Sequence, residues 1–272
     1  MRIAPLLVAV LVAGNAVADE VSYAGEAAFG LWGGMIFPGI YDIRRDTEAL
    51  NYMLKASSWK GNLDEGNLAS GLAGGAELSW GLTPDLKLLL AAETKGTSMS
   101  GDFEGIGPNT STDPVTGVVT PQKLGIDATF ACWGIEAGAT FLLRQFEDWS
   151  RIGLTMHAGF FRLTGTEEHW DETGPLGEYH QLEKYRGDAI GGMLGLEWEW
   201  LARFEEIPVA PGGYVLLGWR YLSFNSVNFN YYDSLGNKDS GTVRDANDDR
   251  ESIDFSGPEV RFGLRLAFPA GQ

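Results

Sequence analysis

Three histidines and their acidic neighbours are the first residues in this chain that could carry chemistry. His169 and His180 fall in a stretch that also holds Glu167, Glu168, Asp171, Glu172 and Glu178. Imidazoles and carboxylates are competent ligands for a divalent cation, but a solvated acidic loop accounts for the same composition and is the favoured reading. His157 stands apart in an alternating apolar segment, where it reads as a satisfied interior histidine. Asp245, Asn247 and Asp249 imitate the opening of a calcium loop, yet Arg250 holds the place of its glycine and Ser256 that of its closing glutamate. Nucleophilic or acid–base chemistry needs a nucleophile with a positioned base or a pair of tuned acids, and no such grouping stands out. Cys132 is the single cysteine, so no internal disulfide framework exists. The chain reads as non-catalytic, with no cofactor and no metal.

A larger set of charges has a regular spacing. Glu77, Lys87, Glu93, Lys95, His157, Glu197, Glu199, Arg220, Glu259, Arg261 and Arg265 all fall on the polar face of segments that alternate polar and apolar residues. Near the C-terminus, Val260, Phe262, Leu264, Leu266 and Phe268 lie on one face, opposite Glu259, Arg261, Gly263, Arg265 and Ala267. This is the period of two expected of a strand with one apolar side. Leu194, Leu196, Trp198 and Trp200 alternate with Met193, Gly195, Glu197 and Glu199, and Val215, Leu217, Trp219 and Tyr221 with Leu216, Gly218, Arg220 and Leu222. The segments beginning at Leu72, Leu86 and Ile152 follow the same rule. If the polar faces turn inward, the charges must find one another, because ions removed from bulk water need partners. Glu197, Glu199, Arg220, Arg261 and Arg265 sit on consecutive strands and are expected to form an interlocked salt-bridge network.

The connections between these segments alternate strictly between short and long. The short ones are Leu82 to Asp85, Arg144 to Ser150 and Glu205 to Gly213; the long ones are Pro38 to Glu65, Gly101 to Gln122, Gly165 to Gly187 and Phe229 to Asp254. Strands are read at about 22–36, 67–82, 85–100, 123–142, 151–164, 188–204, 213–228 and 256–268, a count of eight. Alternation falters around Cys132-Trp133-Gly134, where a bulge or register change is expected, and ten strands are the alternative count. Ile43, Thr47, Leu50 and Leu54 mark a short helix over 42–57 in the first long connection, with Asp42 or Asp46 as cap. Trp80, Trp149, Trp198, Trp200, Tyr214 and Phe268 fall near the ends joined by short connections, and Tyr221 and Phe224 near the other ends. Such rings suit a membrane–water boundary.

The first residues have the form of an export signal. Met1-Arg2 is positive, Ile3 to Ala13 is apolar apart from Pro5, and Ala16-Val17-Ala18 offers a cleavage site after Ala18. Residues 1–18 are therefore read as a signal peptide and 19–272 as one domain. The apolar run is too short for a membrane-spanning helix, which takes about 20 residues. Losing Arg2 moves the formal charge from −17 to −18. A chain so acidic has no cationic footprint for nucleic acid. Its 37 glycines are about twice the usual share of roughly 7%, and 9 Trp with 14 Phe supply interfacial aromatics.

The fold class read from these observations is all-β, an antiparallel up-and-down transmembrane β-barrel of eight strands with one short helix in the first long loop. The chain resembles the small bacterial outer-membrane barrels typified by the membrane domain of outer membrane protein A. The resemblance is one of architecture, and of motif in Arg261-Phe262-Gly263-Leu264-Arg265-Leu266-Ala267-Phe268. That segment is similar to the C-terminal signal read by the barrel-assembly machinery, with Gly263, Leu266 and Phe268 as its marked positions; here Pro269 to Gln272 follow the aromatic that normally closes the chain. The resemblance implies residence in the bacterial outer membrane, with outer-membrane lipids and the assembly machinery as partners; the sequence names no extracellular ligand. The expected role is structural or surface-presenting. The alternatives are a small-solute channel gated by the 42–57 helix and a lipid A-modifying enzyme.

Overall fold

The computed structural model describes residues 23–37, 51–52, 55–56, 59–63, 70–106, 111–112, 114–146, 149–171, 179–202, 209–243 and 252–268. Eight strands run in chain order: β1 Ala27–Ile36, β2 Gly71–Thr83, β3 Leu86–Gly105, β4 Gln122–Phe146, β5 Ser150–Asp171, β6 Tyr179–Leu201, β7 Ala210–Tyr221 and β8 Gly257–Phe268. Each pairs antiparallel with its neighbour in sequence, and β8 pairs with β1 to close the ring. The ring is staggered. Partners followed once round from Ala27, through Trp80, Leu88, Ala139, Met156, Leu194, Trp219 and Pro258, lead to Phe37, ten residues beyond the start. Such a stagger tilts strands by about 35–45° and leaves an interior that side chains can fill.

The strands differ in height. β1, β2, β7 and β8 have 10 to 13 residues, whereas β3 to β6 have 20 to 25. The tall four rise beyond the ring as a sheet, widened by the strand Lys60–Leu63 on β3 and by the hairpin Val227–Asp233 and Lys238–Thr242 on β6. The end carrying the short turns, such as Pro84-Asp85, is called the lower end here.

Several expectations are corrected by this geometry. The long connections are shorter than they read: Gly101–Gly105, 165–171 and 179–187 belong to strands, and much of Phe229 to Asp254 is a hairpin. Above the ring both faces of a strand can be polar, so the period of two that marks a half-buried strand vanishes. The register is continuous through Cys132-Trp133-Gly134, and the irregularity lies instead between Leu142 and Arg144. Of the expected helix over 42–57, Asn51, Tyr52, Lys55 and Ala56 are described and are helical; its other residues, the signal peptide and Asp245 to Arg250 lie outside the described residues.

Candidate functional site

Alternation along every strand places one residue outside and the next inside, and here the outside is the apolar one. Phe29, Leu31, Leu78, Leu90, Ile135, Phe160, Leu196, Leu217, Phe262 and Leu264 are exposed on the outer wall. Arg220, Arg261, Arg265, Lys87 and Lys95 are buried, each 1% exposed. A protein dissolved in water does the reverse, and contiguous apolar patches of more than a few hundred Å² are rare on soluble surfaces. The outer apolar run covers 11 residues on β6, from Ile190 to Trp200, and 9 on β5, from Ile152 to Phe160. That length matches the 9–11 residues with which a tilted strand crosses a bilayer. The chain is a transmembrane β-barrel. Its belt is edged below by Trp80, Trp149, Trp198, Trp200 and Phe268, and above by Trp133, Trp219 and Tyr221, all exposed. Tyr214 and Phe224, expected at the boundary, are instead buried inside the barrel.

No family model and no curated protein matches the chain. Among solved structures it is similar to a major outer membrane protein from Thermus thermophilus, at 11% identity and a TM-score of 0.41, covering 89% of this chain and 98% of that one. It is also similar to the outer membrane protease OmpT from Escherichia coli, at 11% identity and a TM-score of 0.24, covering 92% and 97%. Likenesses so distant carry no activity with them.

Inside the barrel the charges form two clusters. In the lower one, Arg265 on β8 reaches Glu77 on β2 and both Glu197 and Glu199 on β6, at 2.9 Å to Glu197. Lys87 on β3 lies 2.8 Å from Glu197 and 3.4 Å from Glu199. Arg151 on β5 bridges Glu199 and Glu26, at 2.5 Å to each. Tyr214 donates to Glu77 at 3.1 Å, with Arg265 stacked over its ring. Tyr23 closes the lower mouth: it is buried, carries Arg151 and Lys87 over its ring, and donates its backbone N–H to Pro84.

The upper cluster is built on three other carboxylates. Arg220 on β7 meets Glu93, Glu136 and Glu259, and Arg261 on β8 meets Glu93 at 2.7 Å and Glu259 at 2.6 Å. Lys95 lies 2.9 Å from Glu93 and 3.0 Å from Glu259. His157 turns Nδ1 toward Glu136 at 3.3 Å, and Trp32 lies under the Arg261 guanidinium at 3.9 Å. Among the described residues no ion pair joins the two clusters. Leu89 and Ala91, inward on β3 between Lys87 and Glu93, mark the gap. Each arginine touches two or more carboxylates, the planar multi-donor geometry that suits buried guanidinium.

The five charges expected in one network are thus divided: Glu197, Glu199 and Arg265 below, Arg220 and Arg261 above. Glu26, Glu136 and Arg151 complete the clusters and were not singled out from the sequence. Glu136 shares the inward parity of Cys132 and Gly134, a signal hidden by the assumption of a bulge there. Gly263 faces the Tyr214 ring, which would collide with any Cβ at that position. Leu266 and Phe268 point outward at the lower rim.

Above the clusters the interior turns apolar. Phe130, Cys132, Phe161, Leu163, Leu222, Phe224, Val227 and Phe255 pack together, with Phe161, Leu163, Phe224 and Val227 wholly buried. Higher still, beyond the belt, the acidic stretch expected to gather around His169 and His180 is split by the pleat. Glu167, His169 and Asp171 share one face of β5, while Glu168 and His180 face the other way, 3.5 Å apart. Glu172 and Glu178 lie outside the described residues. His169 Nε2 sits 2.7 Å from Glu167, and the Tyr185 hydroxyl shares its one proton between Glu183 at 2.5 Å and Glu167 at 3.0 Å. Partial burial would raise the Glu167 carboxyl, but the hydrogen bonds from His169 and Tyr185 hold it below its ordinary value. The same bond to Glu167 raises the His169 imidazole against the desolvation that opposes it. No group of three metal-ligating side chains is assembled among the described residues.

Proposed function

We propose that this protein is a filled, non-conducting barrel of the bacterial outer membrane, whose role is to hold its tall extracellular sheet and loops at the cell surface. The observation that carries this reading is the interior itself. From Tyr23 at the lower mouth, through two ion-pair clusters, to the aromatic packing around Phe161 and Phe224, the inward side chains are buried. An eight-stranded ring has little interior left once such residues fill it. Short turns below and long connections above orient barrels of this class with the lower end in the periplasm. The outward Leu266 and Phe268 support delivery by the barrel-assembly machinery, after export directed by residues 1–18. No catalytic role is assigned. Purified protein in a planar bilayer tests the reading: a flat current trace, with only rare small events, is expected across ±100 mV. Sustained, uniform open steps would overturn it in favour of a channel gated by the segment 42–57.

A further inference from the structure

The outer face of the tall sheet, directly above the apolar belt, is charged unevenly around the barrel. On β5, β6 and the hairpin Val227–Asp233 and Lys238–Thr242, successive outward rows read Arg162 and Asp188, then Thr164, Arg186, Asn228 and Thr242, then Thr166, Lys184, Asn230 and Ser240, then Glu168, Leu182, Tyr232 and Lys238. Four cations face two carboxylates there, and one carboxylate, Asp188, is bound to Arg162 at 2.8 Å. Lys184 and Lys238 flank the Tyr232 ring at 5.8 and 5.9 Å. The outer face of β3 and β4 at similar height has the opposite balance, with Asp102, Glu104 and Asp127 beside Lys123 and Lys60. In a chain of net charge −17, a basic face on one flank is a local feature and not a general one.

We infer that this flank binds the phosphorylated saccharide headgroup of a glycolipid in the outer leaflet. The proposal rests on the membrane-barrel reading above and deepens it. The lowest row stands next to Trp133, Phe160 and Ile190 at the top of the belt, so a lipid whose chains lie on the belt brings its headgroup onto these rows. Each row climbs roughly 5 Å along the membrane normal, from a rise of about 3.3 Å per residue on a tilted strand. A headgroup layer of the bilayer is only about 5–8 Å thick, so the four rows outreach a simple phospholipid and match a taller headgroup. Guanidinium and ammonium groups pair with phosphate oxygens, while the interleaved Thr, Asn and Ser supply the hydroxyl and amide groups that bond to sugar hydroxyls.

The test is carried out in nanodiscs of phosphatidylcholine doped with bisphosphorylated lipid A or its dephosphorylated form, counting bound glycolipid by native mass spectrometry. The triple variant Lys184→Gln, Arg186→Gln and Lys238→Gln is expected to lose bisphosphorylated lipid A at least tenfold. The triple variant Asp102→Asn, Glu104→Gln and Asp127→Asn on the other flank is expected to stay within twofold of the parent. Equal retention by the basic-flank variant, equal loss from both variants, or equal binding of the dephosphorylated lipid overturns the proposal. Heat-modifiability and bilayer conductance of the same samples report on the closed barrel independently, so a glycolipid failure is distinguishable from a failure of that reading.

Discussion

The ion-pair clusters of this barrel's interior and the apolar packing above them are both tightly filled, but by opposite means. Below, Lys87, Arg151 and Arg265 are balanced against Glu26, Glu77, Glu197 and Glu199; above, Phe130, Phe161, Leu163, Phe224 and Phe255 meet without a charge among them. The difference follows the surroundings. Within the belt the outer wall is lipid and the polar face can only turn inward, so its charges must satisfy each other. Beyond the belt the wall is wet, and the strands can turn apolar residues inward as any soluble sheet does. The two regions should therefore fail differently when broken.

The largest effect is expected from Arg265→Ala, which takes the guanidinium from Glu77, leaving it the Tyr214 hydroxyl, and removes one of the cations around Glu197 and Glu199. Removing one partner of a buried ionic set costs roughly 3–5 kcal/mol, read as a lowered urea midpoint for loss of the heat-modifiable form in detergent. In the apolar packing, Leu163→Ala should cost roughly 2–4 kcal/mol through lost burial and a cavity, with an unchanged flat bilayer current because the clusters beneath remain. If Leu163→Ala conducts and Arg265→Ala does not, the seal lies in the apolar packing and the comparison is reversed. Tyr214→Phe removes one hydrogen bond to a carboxylate and should cost about 1.5–3 kcal/mol, measured by the same unfolding assay.

The smallest effect concerns pH at the top of the sheet. Glu167 is held below its ordinary value, so its contribution is present above about pH 4.3 and fades as pH falls through its lowered folded value. His169 is raised, so its contribution is full below about pH 6.5 and lost as pH rises through its folded value. The two contributions coexist in full between those limits. Both groups are partly solvated and screened, so less than about 1 kcal/mol is expected. Amide exchange at the tops of β5 and β6, slowest near pH 5–6 after correction for intrinsic rates, would show it; His169→Gln should flatten the alkaline side of that dependence.

The same contrast explains what could be read from the sequence. Where lipid fixes one face, as in Val260 to Phe268 or Leu194 to Trp200, strict alternation gives both the strand and its inward charges. Where water touches the strand, as in 165–171 and 179–187, alternation fails and a strand passes for a loop. An aromatic near a strand end suits the boundary, which is the expectation for Tyr214 and Phe224, yet parity alone places both inward with Leu216 and Arg220. The division of the charges into two clusters was not legible, because it depends on the ten-residue stagger that sets which inward residues share a level.

The contact between Glu26 and Arg151 bears on the order of events in folding. Glu26 immediately precedes β1 and Arg151 is the second residue of β5, four strands away round the ring, so the pair spans the lower mouth. A flat or half-curled sheet cannot bring them together; the clasp with Tyr23 beneath it engages only after the seam between β1 and β8 has met. Interactions absent from the transition state retard escape from the native form and leave its formation unhurried. The clasp thus acts as a ratchet on a finished ring, and its loss should shorten the lifetime of the inserted protein while leaving its rate of insertion unchanged.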